Sequence, residues 1–366
     1  MINGFGPAYG YLGYQVHTRK FFQALNRLSP VCLVPTNPNY GAQPVPQDVN
    51  EMVSRQRAIS LADPSICISY GNDFHRFNGS YRVGYTVFEY TKLADDWLNG
   101  MRQVDEIWTT SQWGHDVIRA NGLTDARVSV VPEGFDPTIF NPSLRPKKKD
   151  GVFRFLTVGK WEVRKGQIEL LTAWAKAFRG IKDVELILMC NNPFVPNFSI
   201  ETEIKKLNLG SLPPTKSIKN VPTDVDMAKY YAEADCFVLP TRAEGWGLPI
   251  MEAMACGTPV ITTRYSAMTD YANDENSYLL DVKRMSPVFD PLFFPRAGES
   301  GEWAEIDVAQ LAEYMLFVYK NRGEAARKGE RAAADMAAQW TWDRAAIKAN
   351  EIVEQRCGPR GWGKRQ

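Results

Sequence analysis

Residues 244–257 read EGWGLPIMEAMACG, and the strand-like run TPVI follows at 258–261. This order of residue types predicts a glycine-rich loop, a helix, a glycine stop and a strand. Glu244 lies in the loop, and Glu252 lies about two turns into the helix. Because the free N–H groups and the macrodipole of a helix N-terminus both attract anions, we expect a phosphate between the two glutamates. A phosphate flanked by two carboxylates suggests a bound sugar nucleotide, whose hydroxyl groups need acceptors.

The alternative interpretation of this segment is an ordinary strand–helix turn with solvated glutamates. Gly245 and Gly247, on either side of Trp246, argue against it because they let the backbone approach a ligand closely. Glu252 also lies among apolar helical residues, where a buried carboxylate needs a partner. We therefore interpret the segment as a binding site.

Composition restricts the class of protein. A length of 366 residues suits two domains, and 44% hydrophobic with 23% charged residues is typical of a globular chain. The net charge of +1 argues against a nucleic-acid-binding protein. The sequence has no apolar run long enough for a membrane span and no signal-peptide pattern at its start, so we expect a cytoplasmic protein without specific indication of peripheral membrane contact.

The cysteines and histidines predict neither disulfides nor a metal site. None of the six cysteines forms a Cys-x-x-Cys pair, and several lie in apolar runs, so we expect buried free thiols. The three histidines, His17, His75 and His115, are widely spaced and cannot be assembled into a metal site from sequence.

Short apolar runs alternate with amphipathic helical stretches, which is typical of parallel sheets with crossover helices. Residues 141–150, NPSLRPKKKD, predict a linker between domains at 1–145 and 151–340. Phosphate binding by its three lysines is the alternative, but a solvated linker is favoured. Predicted strands are 31–34, 66–70, 82–88, 106–109, 127–131, 152–158, 184–189, 236–239 and 260–263; predicted helices are 14–27, 97–102, 112–121, 167–178, 226–234, 308–321, 324–339 and 342–355.

Two segments do not fit this alternation. Residues 35–46 are rich in proline, asparagine and glycine and predict a loop. Residues 283–302 are long for a connection but carry three phenylalanines, which argues against disorder. We expect the second segment to be an ordered flap or a contact surface.

A second motif, GKWEVRKG at 159–166, follows a predicted strand and precedes a helix. The carboxyl ends of parallel strands meet at one edge of a sheet, so Lys160 and Lys165 can face the loop that holds Glu244. Two ammonium groups can neutralise a diphosphate and stabilise it as a leaving group. We expect Arg164 to face solvent and Lys165 to lie on an exposed loop, where replacement by alanine would reduce turnover far more than stability.

Together the two motifs resemble the nucleotide-binding domain of retaining GT-B glycosyltransferases, in the large Glu-x7-Glu family (glycosyltransferase family four, glycosyl transferases group 1). Lys160 stands where that family more often has arginine. The resemblance implies an α/β, GT-B fold with two Rossmann-like domains facing across a cleft, and a segment, 341–366, that returns to the first domain. Further matching stretches are AEADCFVLPT at 232–241, VVPEGFD at 130–136 with Phe140, and WTW at 340–342.

The resemblance also implies a donor site in the second half of the chain and an acceptor side in the first half. Residues 12–17, LGYQVH, resemble the family's glycine loop, where we choose Gly13 and Tyr14 as cleft residues and interpret His17 as structural. In the donor site, the resemblance implies that Glu244 contacts the sugar and Glu252 contacts the ribose. The diphosphate would be held by Lys160, Lys165 and the backbone of Gly247 and Leu248. Gly245 and Trp246 belong to the same loop, and the nucleobase would lie near 218–221.

Two further features depart from the family pattern. Many relatives carry a histidine after the strand at 85–87, where this chain has Phe88-Glu89-Tyr90. Either Glu89 faces the cleft in a polar role or the histidine's task is absent, with His75 as another substitute. A first strand is barely visible in 1–5, which suggests a partly remodelled first domain. Asp224-Val225-Asp226 matches a metal-binding pair of another fold, but before a helix it is better explained as an N-cap.

We therefore expect a retaining hexosyltransferase that moves sugar from a nucleoside diphosphate sugar to a hydroxyl of a glycan, lipid-linked or small-molecule acceptor. GDP-mannose, UDP-glucose and UDP-N-acetylglucosamine are all compatible donors, and no prosthetic group is implied. The diphosphate would leave towards the two lysines, and its oxygen would accept the acceptor's proton. The alternatives are a non-catalytic sugar-nucleotide-binding protein and a GT-B sugar-nucleotide epimerase.

Overall fold

The computed structural model describes residues 1–39, 45–146, 150–219, 221 and 223–358. The lysine triplet at 147–149 lies outside these residues, as do the centre of the predicted 35–46 loop and residue 220 of the predicted nucleobase segment. Within the described helices, none is long and apolar enough to cross a membrane.

The chain divides into two compact units. The first comprises 1–88, 92–134 and 340–366, and the second comprises 89–91 and 135–339. The division falls ahead of the predicted 141–150 linker because the start of that segment already packs in the second unit. Phe140 lies 6.1 Å from Tyr231 between ring centroids, and Arg145 Nη1 donates a 2.8 Å hydrogen bond to Thr258 Oγ1.

Each unit is built on a parallel six-stranded sheet, and an antiparallel pair is added in the second unit. The first sheet has the order β2-β1-β3-β4-β5-β6, and the second has the order β12-β11-β10-β7-β8-β9. The strands are β1 Ile2–Gly6, β2 Val31–Pro35, β3 Ser65–Ile68, β4 Arg82–Thr86, β5 Glu106–Thr109, β6 Val128–Val130, β7 Phe153–Val158, β8 Val184–Met189, β9 Thr215–Ser217, β10 Cys236–Leu239, β11 Val260–Thr263, β12 Tyr278–Leu280, β13 Val282–Pro287 and β14 Glu302–Ile306.

Helices follow most of the parallel strands, as crossover connections require. Their apolar faces cover the sheets; in the second unit, Leu170, Trp174 and Met315 belong to one continuous core with the strand residues. The helices are α1 Gly13–Leu28, α2 Gln47–Ser54, α3 Asp95–Met101, α4 Gln112–Ala120, α5 Gln167–Ala177, α6 Ile200–Lys206, α7 Asp224–Glu233, α8 Leu248–Ala255, α9 Val308–Lys320, α10 Arg322–Gln339 and α11 Trp342–Cys357.

The alternation predicted from sequence is confirmed, and the predicted bounds of β5, β8, β10 and β11 are those of the structure. The prediction missed β9, whose three residues are polar, and β12, which is also three residues long. It also missed the short helices α2 and α6. All six cysteines are free thiols, and five of them are buried.

The expectation of a barely formed first strand is wrong. β1 pairs with both β2 and β3 and therefore lies inside the first sheet. Its sequence, INGFG, has low strand propensity because of its two glycines, but both are needed for packing. A Cβ on Gly4 would lie 2.8 Å from Phe22 Cε1, and a Cβ on Gly6 would lie 2.7 Å from Thr18 Oγ1. The glycines thus allow α1 to pack closely against β1.

The segment expected to be an ordered flap or contact surface forms a β-hairpin, here called the hairpin (282–306). β13 and β14 pair antiparallel, with Met285 opposite Ala304. Trp303 of the hairpin is buried in a cluster with Ala243 and Val288. The prediction that this segment is ordered is confirmed. The phenylalanines of the hairpin contribute to the packing described below.

The strand order of the second sheet places β7 directly beside β10. The sheet runs outward from β7 to β9 on one side and from β10 to β12 on the other, so its topology switches between these two strands. Open α/β sheets bind ligands outside the carboxyl ends of the strands at such a switch point. The segment 159–166 follows β7 and the Glu244 loop follows β10, so both predicted motifs lie at this point.

Candidate active site

Glu244 is the centre of a buried ionic cluster. Its side chain is almost fully enclosed, with the residue 4% exposed. Lys165 Nζ donates to Oε1 at 2.7 Å and to Oε2 at 2.9 Å, and Arg164 Nη1 lies 3.1 Å from Oε2. Thr241 Oγ1 lies 2.8 Å from Oε1. Burial alone would raise the pKa of Glu244, but Lys165 and Arg164 outweigh it and lower the pKa to about 2, so the carboxylate is ionised at neutral pH.

Arg164 is buried, and the expectation that it faces solvent is wrong. Its guanidinium donates to Glu162 Oε1 at 2.6 Å and to the Ala243 carbonyl at 2.7 Å, and it lies 3.4 Å from Glu89 Oε1. Burial works to lower the pKa of Arg164, but the surrounding carboxylates, with Glu162 the strongest, raise it. The planar, permanently charged guanidinium suits this position because it can pair with several carboxylates at once.

Lys165 is buried as well, which corrects its placement on an exposed loop. The reason is the close approach of the two loops. Gly166 adopts a left-handed conformation with φ of 71°, and a Cβ there would lie 2.3 Å from the Pro240 carbonyl oxygen. Arg242 N also donates to the Arg164 carbonyl at 2.7 Å. The segment 159–166, here called the basic loop, is therefore pressed against the chain that leads to Glu244.

Lys160 lies nearer the surface than Lys165, with its side chain 26% exposed. Its ammonium group lies 2.9 Å from Glu162 Oε2. The same group lies 3.7 Å from the ring centroid of Phe293 and 4.9 Å from that of Phe194. The structure thus brings both predicted lysines to the carboxyl end of β7, each with its own carboxylate partner.

Helix α8 begins directly behind the Glu244 loop. Gly247 is its N-cap and has φ of 94°, a left-handed conformation that favours glycine. The first helical hydrogen bonds run from Ile250 and Met251 to the Gly247 carbonyl. Leu248 is the first residue of the helix, so its N–H has no partner within the helix, and Pro249, the next residue, has no N–H at all. The helix N-terminus directs the positive end of its dipole towards the loop.

Trp246 and Gly245 form the turn between Glu244 and Gly247. The Trp246 indole is 1% exposed and packs on Tyr271, with ring centroids 5.1 Å apart, while its Nε1 lies 3.4 Å from Met251 Sδ. Tyr271 also donates to the Trp246 carbonyl at 2.9 Å. The Trp246 side chain is thus part of the core, and any ligand contact here is left to the backbone.

Glu252 is half-buried on α8 and has the polar partner that the sequence requires. Tyr231 Oη donates to Glu252 Oε2 at 3.1 Å. Burial, and then the charge of Glu252, raises the pKa of Tyr231 well above its usual value, so the phenol remains a donor. Tyr231 is itself held through its carbonyl, which accepts from Thr258 Oγ1 at 2.6 Å.

Glu89 groups with the second unit, together with Tyr90 and Thr91. Trp303 Nε1 donates to the Glu89 carbonyl at 2.5 Å, and Glu302 N donates to Thr91 Oγ1 at 2.9 Å. Tyr90 packs on Phe294, with ring centroids 5.6 Å apart. These contacts hold the Glu89 carboxylate near Arg164.

Phe88, the first residue after the segment 85–87, is buried in the first unit. It packs near Trp97 and Trp113. His75 is exposed, with Nδ1 2.8 Å from the Asn72 carbonyl. Because the His75 ring is exposed and bound to its own turn, the structure gives no support to His75 as a substitute for the expected histidine.

Tyr14 braces the chain after β4 in the first unit. Its hydroxyl donates to the Val87 carbonyl at 2.5 Å, accepts from Val87 N at 2.9 Å and lies 3.1 Å from Thr86 Oγ1. Gly13 begins α1 and is exposed, with open space around its missing side chain. His17 is buried, as the structural interpretation requires, and its Nδ1 lies 3.0 Å from Glu133 Oε1 without the alignment of a hydrogen bond.

The Asp224-Val225-Asp226 segment needs a small correction. The N-cap of α7 is Thr223, whose Oγ1 accepts from Asp226 N at 3.1 Å, and the two aspartates lie in the first helical turn. Thr223 takes the cap because its backbone is extended while Asp224 is already helical. In the part of the chain that the structure describes, no group of three His, Cys, Asp or Glu side chains is arranged to hold a metal ion.

Sequence reasoning missed Glu162 and Asp290. Glu162 lies inside the basic loop and pairs with both Lys160 and Arg164. The sequence did contain a signal for Glu162, because a glutamate between the cations of a predicted site can neutralise them. Asp290 accepts from Val163 N at 3.0 Å across 127 residues of sequence, and no local pattern indicates that contact.

Known proteins resemble this chain in sequence and in fold. Residues 152–287 match the family model described as "Glycosyl transferases group 1". The chain is 28% identical over 175 residues to the D-inositol 3-phosphate glycosyltransferase of Pseudarthrobacter chlorophenolicus, an alignment covering 44% of this chain and 40% of that protein. In such alignments the chain spans about 40% of the length of the curated relatives it matches first.

Solved structures extend the likeness over nearly the whole chain. Sucrose-phosphate synthase from Thermosynechococcus elongatus matches with a TM-score of 0.71 at 17% identity, covering 97% of this chain and 98% of that chain. HepE of Anabaena in complex with UDP and glucose matches with a TM-score of 0.67 at 14% identity, covering 96% and 99%. The fold is therefore GT-B, and residues 152–287 are similar to the glycosyl transferases group 1 family.

Proposed function

We propose that the protein is a retaining glycosyltransferase that moves a hexose-type sugar from a nucleoside diphosphate sugar to an acceptor hydroxyl. The observation that carries the proposal is the juxtaposition of Lys165 and Glu244 at the β7–β10 switch point, directly before the N-terminus of α8. Cations and a free helix N-terminus suit a diphosphate, and an ionised carboxylate suits sugar hydroxyls.

The diphosphate would be held by Lys165, Lys160 and the backbone of Gly247 and Leu248. Lys165 gives two of its three N–H groups to Glu244, which leaves one for a phosphate oxygen. Charge developing on the leaving diphosphate would be stabilised by groups that are already oriented, which is the most effective form of electrostatic catalysis.

Glu244 would accept hydrogen bonds from the donor sugar, because its pKa near 2 keeps it an acceptor at working pH. Glu252 would accept from the ribose on the opposite side of the helix start. Glu89 would contribute a further carboxylate, shared with Arg164. The acceptor's proton would pass to the leaving phosphate oxygen, so the proposal requires no separate general base.

Several donors and several classes of acceptor are compatible with this function. HepE, which shares the fold, was solved with UDP and glucose, and that supports a nucleoside diphosphate hexose as donor. UDP-glucose, UDP-N-acetylglucosamine and GDP-mannose all remain in the proposal. The acceptor would be a glycan, a lipid-linked sugar or a small molecule.

The experiment is a donor screen with two readouts. Thermal stabilisation by each nucleotide sugar measures binding, because a ligand that binds the native state raises the unfolding temperature. Release of nucleoside diphosphate, with varied acceptors, measures transfer or hydrolysis. We expect at least one donor to give both thermal stabilisation and release of nucleoside diphosphate. We also expect NMR to show that the product keeps the donor's anomeric configuration. An inverted product would refute retention.

A non-catalytic sugar-nucleotide-binding protein is the second candidate. It is favoured by Phe88, because a buried aromatic side chain cannot take over a polar role from histidine. Intact binding of a nucleotide sugar with no nucleoside diphosphate release under any acceptor would establish this candidate and exclude the transferase.

A further inference from the structure

The tip of the hairpin (282–306) is tied to the basic loop by one buried carboxylate. Asp290 is 4% exposed, and its Oδ2 accepts from Val163 N at 3.0 Å. Its other oxygen accepts from Leu292 N at 2.9 Å and from Phe293 N at 3.1 Å. The same side chain therefore orders the turn that carries Phe293 and fixes the backbone of the basic loop beside that turn.

Phe293 presents its ring to the ammonium group of Lys160 at 3.7 Å. A cation at this distance is attracted by the negative face of an aromatic ring. Phe194 packs edge-on against Phe293, with ring centroids 5.6 Å apart, and holds the ring in place. Together with Glu162 on another side, the ring restricts an ammonium group that would otherwise move freely on a flexible stem.

The base of the hairpin is packed into the second unit. Trp303 is buried against Val288 and Ala243, the residue that immediately precedes Glu244. Ala304 N donates to the Arg242 carbonyl at 3.1 Å, which joins β14 to the same segment. The hairpin thus contacts both loops of the candidate site, one at its base and the other at its tip.

We propose that Asp290 and Phe293 are positioning residues, which hold Lys160 in the orientation in which it binds the diphosphate. The inference rests on the proposed function, since it assigns Lys160 to that ligand. Both residues lie beyond position 287, where the match to the family model ends. Pre-organisation of this kind strengthens binding because less side-chain freedom remains to be lost when the ligand arrives.

The test replaces Phe293 by mono-, di- and trifluorinated phenylalanine, which weaken the charge of the ring face with little change of shape. The matched control is the same series at Phe294, which packs on Trp303 and Tyr90 in the same hairpin. The dissociation constants of UDP and GDP are measured by calorimetry. We expect a stepwise weakening for the nucleotide that binds, to about fivefold with the trifluorinated ring at 293, and no trend at 294.

Two further measurements separate the possible failures. If wild type binds a nucleotide but the 293 series is flat, the positioning inference is overturned while the proposed function stands. If wild type binds no nucleotide, the proposed function fails, and Lys160 as a diphosphate ligand fails with it. NMR of reductively methylated lysines reports the geometry independently: a ring-current shift at Lys160 should be present in wild type and much smaller in both Phe293→Leu and Asp290→Asn, where only the more distant Phe194 ring remains close. Its retention in Asp290→Asn would remove Asp290 from the inference.

Discussion

Lys165 Nζ lies within hydrogen-bond distance of both carboxylate oxygens of Glu244, at 2.7 and 2.9 Å, in a buried position between two loops. The pair joins the segment after β7 to the segment after β10. These two strands are neighbours at the topological switch point of the second sheet. Arg164 also pairs with Glu244, so the removal of the Lys165 charge leaves Glu244 partly compensated.

Replacement of Lys165 by methionine should affect both turnover and stability. We expect turnover to fall about 100-fold or more, because a group proposed to stabilise the leaving diphosphate is removed. The free energy of unfolding should fall by about 1–3 kcal/mol, since Glu244 loses one buried partner but keeps Arg164. Lys165→Arg, which retains the charge, is the comparison. Turnover and denaturant unfolding of the three proteins are the measurements, and wild-type turnover in the methionine variant would exclude Lys165 from the diphosphate site.

Glu244→Gln should change how stability depends on pH. The folded pKa of Glu244 is about 2 against an ordinary value of 4.5, so its ionised form stabilises the fold fully above pH 4.5. That contribution is lost as pH falls from 4.5 towards 2. The variant should therefore be less stable than wild type at pH 7, and the difference should shrink below pH 4.5. Thermal unfolding across this range is the measurement, with Glu313→Gln, at an exposed position on α9, as control. A difference that stays constant down to pH 2.5 would contradict the assignment.

Arg164→Met should be the most destabilising change in the cluster. It leaves Glu162, Glu244 and Glu89 near one another without their common cation, and loss of one partner of a buried ion pair typically costs about 3–5 kcal/mol. Arg284→Ala is the matched control, since Arg284 pairs with Glu305 at the surface with its side chain 70% exposed, and it should cost about 0–1 kcal/mol. Denaturant unfolding compares them. The double variant Arg164→Met, Glu162→Gln should recover part of the loss, and strict additivity would mean that the two side chains are not coupled.

Much of the site could be predicted because its signals are local. Glu244 and Glu252 are placed by their spacing around a helix start, and Lys165 is brought to Glu244 by the rule that parallel strands end at one edge. These local signals do not predict the strand order. β7 pairs with β8 on one side and with β10 on the other, and nothing in the sequence of β7 indicates that its second neighbour is β10.

The environment of Arg164 could not be predicted for a related reason. Arginine is normally a surface residue, and what encloses it here comes from distant segments: Glu89 and the chain before Glu244. β1 was underestimated because strand propensity penalises glycine, while the close packing of Phe22 on Gly4 requires it. In both cases tertiary contacts outweighed the local preference.

Tyr14→Phe tests whether this residue braces the fold or contacts a ligand. The hydroxyl serves both the N–H and the carbonyl of Val87, so its loss leaves two backbone groups without that partner. We expect a destabilisation of about 1–2 kcal/mol in the first unit and unchanged donor affinity. Tyr11→Phe, at a position 61% exposed, should change neither quantity. Thermal unfolding and nucleotide calorimetry distinguish the outcomes, and wild-type stability with altered acceptor use would restore Tyr14 to the acceptor side.

Glu252→Gln tests the assignment of the ribose contact. The amide oxygen can still accept from Tyr231, so stability should change little. A hydrogen bond to a charged acceptor is stronger than one to a neutral acceptor, so affinity for the nucleoside diphosphate should fall about tenfold. The sharpest comparison uses the 2′,3′-dideoxy analogue, which lacks the ribose hydroxyls. Wild type should prefer the ordinary nucleotide, whereas Glu252→Gln should bind both nearly alike. Glu233→Gln, exposed on α7, is the control that should keep the wild-type preference. A preference that survives in Glu252→Gln would move the ribose away from this side of α8.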